Sequence, residues 1–181
     1  TCVRVGDRRD GCFEGVATSG IVFSADGRHV AYPVQDGGRW RVVRDGRAGA
    51  TWDGLASLTF SPDGRHLAYA ALDGPSWRFV LDERAGESRE LRFTGSIAFA
   101  PSGEHVASAC ARKGGAHMVL DSMPGPAYDE VEGPRFSHDG SRFAYVAHRG
   151  GRATIVIDGT EQQFRDSVSA AAFSADRRHV A

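Results

Sequence analysis

Five segments of the chain align with one another without internal gaps: FSADGRHVAY from Phe23, FSPDGRHLAY from Phe60, FAPSGEHVAS from Phe99, FSHDGSRFAY from Phe136 and FSADRRHVA from Phe173. The intervals between these phenylalanines are 37, 39, 37 and 37 residues. A fixed period of this length repeats one supersecondary unit, and so small a unit buries its apolar faces only against copies of itself. Two further signals keep the same phase. Asp45, Asp82, Asp121 and Asp158 each end an apolar run 22 residues after the phenylalanine of their unit, with Asp7 as the matching residue ahead of the first. An aromatic precedes the next unit at Phe13, Trp52, Tyr128 and Phe164, with Leu91 in its place in the odd repeat.

Each unit reads as strands. After Phe23, residues 25–27 (Ala-Asp-Gly) suit a three-residue hairpin loop, with glycine at the left-handed position, and Pro62 sits where its fixed φ favours the same turn. Beyond the turn, Val30, Leu67, Val106 and Phe143 recur on one face, and the small Ala31, Ala68, Ala107 and Ala144 on the other. That alternation is the period of an extended strand, and apolar residues on both faces call for a neighbouring sheet on each side. No segment of ten or more residues keeps a helical period with caps. Four short antiparallel strands per unit, stacked face to face, is the arrangement of an all-β β-propeller.

The phrase FSPDGRHLAYAA, followed by FVLD or VVRDG, resembles the TolB-like, WD-repeat-like propeller repeats of bacteria. The resemblance implies a propeller over nearly the whole chain and an extracytoplasmic, such as periplasmic, setting, although no export signal is visible. It also implies a role in binding or scaffolding, or as the gating domain of a prolyl-oligopeptidase-like hydrolase. It does not choose between them, because one fold hosts many functions. The GH and WD pairs of WD-repeat proteins proper do not recur here.

With strands named first to fourth from the inside outward, the chain holds five first-second pairs, beginning near residues 20, 57, 96, 133 and 170, and five third-fourth pairs, the earliest at residues 2–13. Pairing the terminal halves gives one five-bladed propeller domain over residues 1–181, with repeats near 20–56, 57–95, 96–132, 133–169 and 170–181 completed by 1–19. The alternative is a fragment of a six- to eight-bladed protein. About seven residues are missing at that seam by the repeat's own phase. Arg177 stands where the other four units have glycine, so the last turn is expected to be strained or of another type. Gly20, Ser57, Ser96, Gly133 and Ala170 share one place in the innermost strand, where small residues would let strands crowd a narrow axis.

With 41% apolar and 25% charged residues the 181-residue chain can bury a substantial core. A net charge of -1 lacks the positive field that nucleic acid requires, and no apolar run is long enough for membrane insertion by a helix. Cys2, Cys12 and Cys110 have no metal-ligand spacing; Cys2 and Cys12 either join across one hairpin as a disulfide or are buried thiols. No cofactor is expected, because no nucleophile elbow, Walker loop, zinc-binding helix or dinucleotide fingerprint is present. No central position of the innermost strands offers the converging carboxylates of a glycosidase.

His29, His66, His105 and His179 share one repeat position, with Arg142 at the fifth. Residues a blade apart cannot share a metal, so each histidine is expected to bond to backbone or water, with pH-sensitive stability as a secondary possibility. The periodic aspartates are expected to cap their own turns two residues on. The connection from the fourth strand to the next first strand carries Glu14, Asp53 and Asp129 directly after Phe13, Trp52 and Tyr128, with Asp166 two after Phe164. This is either an aromatic and acidic collar for a cationic or peptide ligand, or packing with loop caps. Arg112 and Lys113, then His148, Arg149 and Arg152, make two adjacent loops basic, and Arg135 is the lone charge directly before the phenylalanine of an innermost strand. The expected function is therefore a non-enzymatic module that recognises a protein or peptide through loops on one face. Trp52, Asp53, Tyr128, Asp129, Arg135, Arg112, Lys113, His148 and Arg149 are the candidate contacts.

Overall fold

The computed structural model describes residues 1–86, 92–168, 170–174 and 179–180. The expectations for Leu91 and Arg177 lie outside the described residues. The chain divides into two compact units, Thr1–Ser88 and Arg89–Ala181. In the first, the hairpin of Cys2–Val5 and Arg8–Cys12 is followed by two sheets. One runs Val30–Asp36, Arg39–Arg44 and Arg47–Trp52; its innermost place is shared by Gly15–Val16 and Val22–Phe23, which flank a 3-10 turn at Thr18–Gly20 and both pair with Val30–Asp36. The other is the meander Gly54–Phe60, Leu67–Asp73, Ser76–Leu81 and Arg84–Ala85. The second unit holds the meander Arg92–Phe99, Val106–Arg112, Gly115–Leu120 and Met123–Pro124, and the meander Glu130–Phe136, Phe143–Arg149, Arg152–Ile157 and Thr160–Glu161. An antiparallel bridge between Phe173 and Val180 follows.

The second strand of each of the four larger sheets opens with five consecutive buried residues, so both of its faces are covered. The apolar clusters lie between successive layers. Val3, Val5 and Phe13 pack with Val30, Tyr32, Val34 and Val43; Ala31, Val42 and Trp52 with Leu67, Tyr69 and Val80; Ala107, Ala109 and Met118 with Val131, Phe143 and Tyr145. Each buried valine, leucine or aromatic is worth about 1.5–3 kcal/mol against exposure, which makes these inter-sheet seams the main source of stability.

The hairpin between third and fourth strands is the same tight turn in all four sheets. Its two central residues are both left-handed: Asp45 and Gly46, Asp82 and Glu83, Asp121 and Ser122, Asp158 and Gly159. Turns of this hand match the right-handed twist of the strands, and aspartate and glycine tolerate them. In the first hairpin the turn is Gly6 and Asp7, so Gly6, rather than Asp7, occupies the aspartate's place.

The innermost strands differ from expectation. They begin at Gly54, Arg92 and Glu130, three or four residues early, and each carries a bulge: between Ala56 and Thr59, Phe93 and Ile97, Glu132 and Arg135. The backbone there is left-handed, at φ 53° for Ser57, 102° for Gly95 and 62° for Gly133. The small residues expected to relieve crowding at an axis are thus accounted for at Ser57 and Gly133 by a bulge conformation.

The hairpin of residues 2–12 is a two-stranded sheet in the described pairings, and it applies Val3 and Val5 to the face of Val30–Asp36, where Tyr32 donates to Asp10 Oδ2 at 3.0 Å. Cys2 and Cys12, paired across its open end, form a disulfide, while Cys110 is free and buried, and burial pushes its thiol up. Among the described residues no helix is long and apolar enough to cross a membrane.

At Gly133 an added Cβ would meet nothing within 4 Å, so the cost of a side chain is that of the left-handed backbone alone. Gly133→Ala is expected to lose about 1 kcal/mol of stability and lower the thermal midpoint by a few degrees. An unchanged midpoint in a melting experiment would contradict the bulge.

Candidate functional site

At one end of each sheet, the turn between first and second strands and the turn between third and fourth are bonded into one cassette. The Ser24 hydroxyl donates to Asp26 and accepts from His29 N at 2.9 Å, and Ser24 N donates to His29 O at 3.0 Å. Ser61 with Asp63 and His66, and Ser137 with Asp139 and Arg142, repeat this pattern. The Ser24 and Ser61 hydroxyls, then the amides of Arg28 and Arg65, hold Asp26 and Asp63 below the usual carboxylate range.

The histidines and periodic aspartates, read separately from the sequence, are partners. His29 Nδ1 lies 2.7 Å from Asp45 Oδ2, His66 Nδ1 2.6 Å from Asp82 Oδ2, and His105 Nδ1 2.7 Å from Asp121 Oδ2. Arg142 Nε takes the same place on Asp158 at 2.9 Å. The other carboxylate oxygen accepts from the amide of Val30, Leu67, Val106 or Phe143 at 2.8–3.0 Å. Each aspartate therefore spans sixteen residues to the opposite turn. An aspartate in a left-handed turn between two antiparallel strands faces the neighbouring turn, so the partner of Nδ1 in His29, His66 and His105 is a carboxylate.

The opposite end carries most of the candidate contacts. Trp52 and Tyr128 are 8% and 3% exposed and lie in the inter-sheet clusters, so they are packing residues there, whereas the acids that follow them are exposed. Asp53 Oδ2 accepts from Gly74 N at 2.7 Å, Asp129 Oδ2 from Gly150 N at 2.7 Å, and Glu14 Oε2 from Gly37 N at 3.1 Å. Each acid staples the turn between second and third strands of its own sheet. Asp166 is exposed.

In the second unit Tyr128 organises the surroundings. Its amide and carbonyl bridge Ala116, extending the outer edge of the sheet beyond Met123–Pro124. Gly115, at φ 135°, lies so close that a Cβ would stand 2.6 Å from the Tyr128 carbonyl oxygen, so only glycine fits. The Tyr128 hydroxyl donates to Glu161 Oε1 at 2.9 Å; burial, then this carboxylate, pushes the phenol up. Arg149 from the next sheet lies over the Tyr128 ring, 4.7 Å from its centre, and 5.7 Å from that of Phe164, and pairs with Glu161 at 3.0 Å. His148 Nε2 lies 3.2 Å from Glu132 Oε1, and Arg152 donates to the Phe164 carbonyl at 2.9 Å.

Both basic turns thus meet Tyr128: the one holding Lys113 through Gly115, which pairs with Arg112, and the other through Arg149. Lys113 is exposed, while Arg112 has its Nε buried without a hydrogen-bond partner. Glu161 was missed in the sequence because it carries no periodic signal. Arg135 is not part of this group; it is exposed on the innermost strand, paired with Ala144.

No family model matches the chain, and no curated protein matches it. Solved structures do. TolB from Acinetobacter baumannii matches over 89% of this chain and 47% of its own, at 14% identity and a TM-score of 0.50. A chain of a mitotic checkpoint complex matches over 92% and 61%, at 15% and 0.51. Puromycin hydrolase, as an S511A mutant, matches over 87% and 32%, at 17% and 0.52. The chain is similar to β-propeller proteins in fold, and it spans less than two thirds of the length of each of these.

Asp82→Ala removes the acceptor for the Leu67 amide and places alanine in a left-handed turn; Asp82→Asn keeps an acceptor and a tolerant residue. The expected losses are about 2–3 kcal/mol for alanine and about 1 kcal/mol for asparagine in denaturant titrations. Equal losses would contradict the cross-turn role.

Proposed function

We propose that the chain is a binding or scaffolding propeller, without chemistry of its own, that takes a protein or peptide on the turn surface around Tyr128. The observation that carries this reading is the stapling of that surface. Tyr128 and Arg149 are tied together across two successive sheets, Asp129 and His148 are bonded within the second of them, and Lys113 is exposed on the adjoining turn. Loops already held in place lose little entropy on binding, and clustered cations favour a partner bearing acidic side chains.

In this reading the domain is single and has five blades, the hairpin of residues 2–12 supplying the outer half of the sheet begun by residues 170–181. Two features support that count. The hairpin applies its apolar face to the first sheet as an outer half-blade would, and Ile155, Ile157, Val168 and Val180 line an open cavity of about 650 Å3 that another half-blade would cover. A second reading, the gating propeller of a larger prolyl-oligopeptidase-like hydrolase, is supported by the likeness to puromycin hydrolase. A coding sequence that continues past Ala181 into a domain with a nucleophile elbow would select it.

The binding reading is tested by panning a random-peptide display library on the folded chain. Acidic peptides are expected to be enriched, and their binding to fall at least tenfold with Lys113→Glu while Arg84→Glu, an exposed cation on an outer strand, leaves it unchanged. No enrichment, or enrichment indifferent to Lys113→Glu, would overturn the proposal.

A further inference from the structure

Arg135 and Phe136 end the innermost strand of the fourth sheet, at the opposite end of Phe143–Arg149 from Arg149. Together with His138, they line a cavity of about 550 Å3 whose other wall is Ala171, Ala172, Phe173 and Ser174. Its composition is uneven. Two aromatic rings and two alanine methyls form the apolar part, while the ionisable side chains are a guanidinium and an imidazole; no carboxylate lines it among the described residues.

The Arg135 guanidinium makes one long hydrogen bond, 3.5 Å to the neighbouring Pro134 carbonyl, and is exposed. It differs in this from Arg44, Arg78, Arg142 and Arg149, each of which pairs with a carboxylate. Phe173 is held from the fourth sheet, with the Arg142 guanidinium 5.8 Å from its ring centre. The cavity therefore presents an aromatic wall beside a cation that no carboxylate pairs with among the described residues.

We propose that this cavity is a binding site for an anion carried on an apolar body, the carboxylate or phosphate pairing with Arg135 and His138 and the body resting on Phe136 and Phe173. A planar guanidinium suits both oxyanions, since it can donate two parallel hydrogen bonds, and the aromatic wall rewards a ligand with carbon attached to the charge. The site is independent of the turn surface around Tyr128, and either can fail without the other.

The test is titration of the folded chain with phenylacetate, phenyl phosphate and the neutral phenylacetamide, followed by the amide and ring resonances of Phe136 and Phe173. Saturable shifts with phenylacetate support a carboxylate ligand and with phenyl phosphate a phosphate ligand, and the amide is expected to bind at least tenfold more weakly. Arg135→Ala is expected to weaken the anion at least tenfold without lowering the thermal midpoint, because the equivalent positions hold Val22, Thr59, Ala98 and Ala172. Arg135→Lys is expected to retain part of the affinity. Absence of saturation with either anion, equal binding of the amide, or unchanged affinity in Arg135→Ala would overturn the proposal.

Discussion

Burial of the second strand on both faces is the constraint from which the rest of the architecture follows. Tyr32, Tyr69 and Tyr145, with Ala31, Ala68 and Ala144 on the alternate face, leave no side of that strand for water. An antiparallel sheet of four short strands cannot meet that requirement alone. It needs a layer on each side, so each unit of the chain repeats the sheet at a fixed period, and the outermost strands are free to shrink to two residues.

Stacked sheets also need their ends fixed, since the turns carry backbone groups that the apolar layers cannot satisfy. The histidine-aspartate pairs do this at one end and the acid-to-glycine staples at the other. In the first unit the cassette reaches the next sheet as well: Arg44, beside the turn aspartate, donates to the Arg65 carbonyl at 3.0 Å, lies 3.5 Å from Asp82 and sits 5.4 Å from the centre of the Phe60 ring. Polar periodicity in this chain is therefore structural in origin, and recognition is better sought where it is broken. Lys113 and Arg135 are such breaks, a cation in one turn and a cation on one innermost strand without counterparts in the other repeats.

The period made the strand order and the double-faced second strand legible without coordinates, because hydropathy alternates at two residues on both sides of Ala31, Ala68, Ala107 and Ala144. The bulges were not legible: a bulge inserts a residue and resets the alternation, so Gly133 looks like a small residue at a crowded place. The pairing of His66 with Asp82 was hidden by treating each periodic residue alone. The signal was available in the fourth repeat, where Arg142 replaces histidine while Asp158 stays, a substitution that suits a cation facing a carboxylate. Candidate contacts fared unevenly for a related reason. Trp52 and Tyr128 signal both packing and recognition in sequence, and only their burial separates the two, whereas the Tyr128 to Arg149 contact joins successive repeats and leaves no mark within either.

Amide hydrogen exchange under native conditions tests the stacked-sheet account most directly. The slowest amides are expected in Val30–Asp36, Leu67–Asp73, Val106–Arg112 and Phe143–Arg149, all four alike, with Arg84–Ala85, Met123–Pro124 and Thr160–Glu161 exchanging orders of magnitude faster. Fast exchange in any of those second strands, or equal protection in the outermost ones, would contradict burial on both faces.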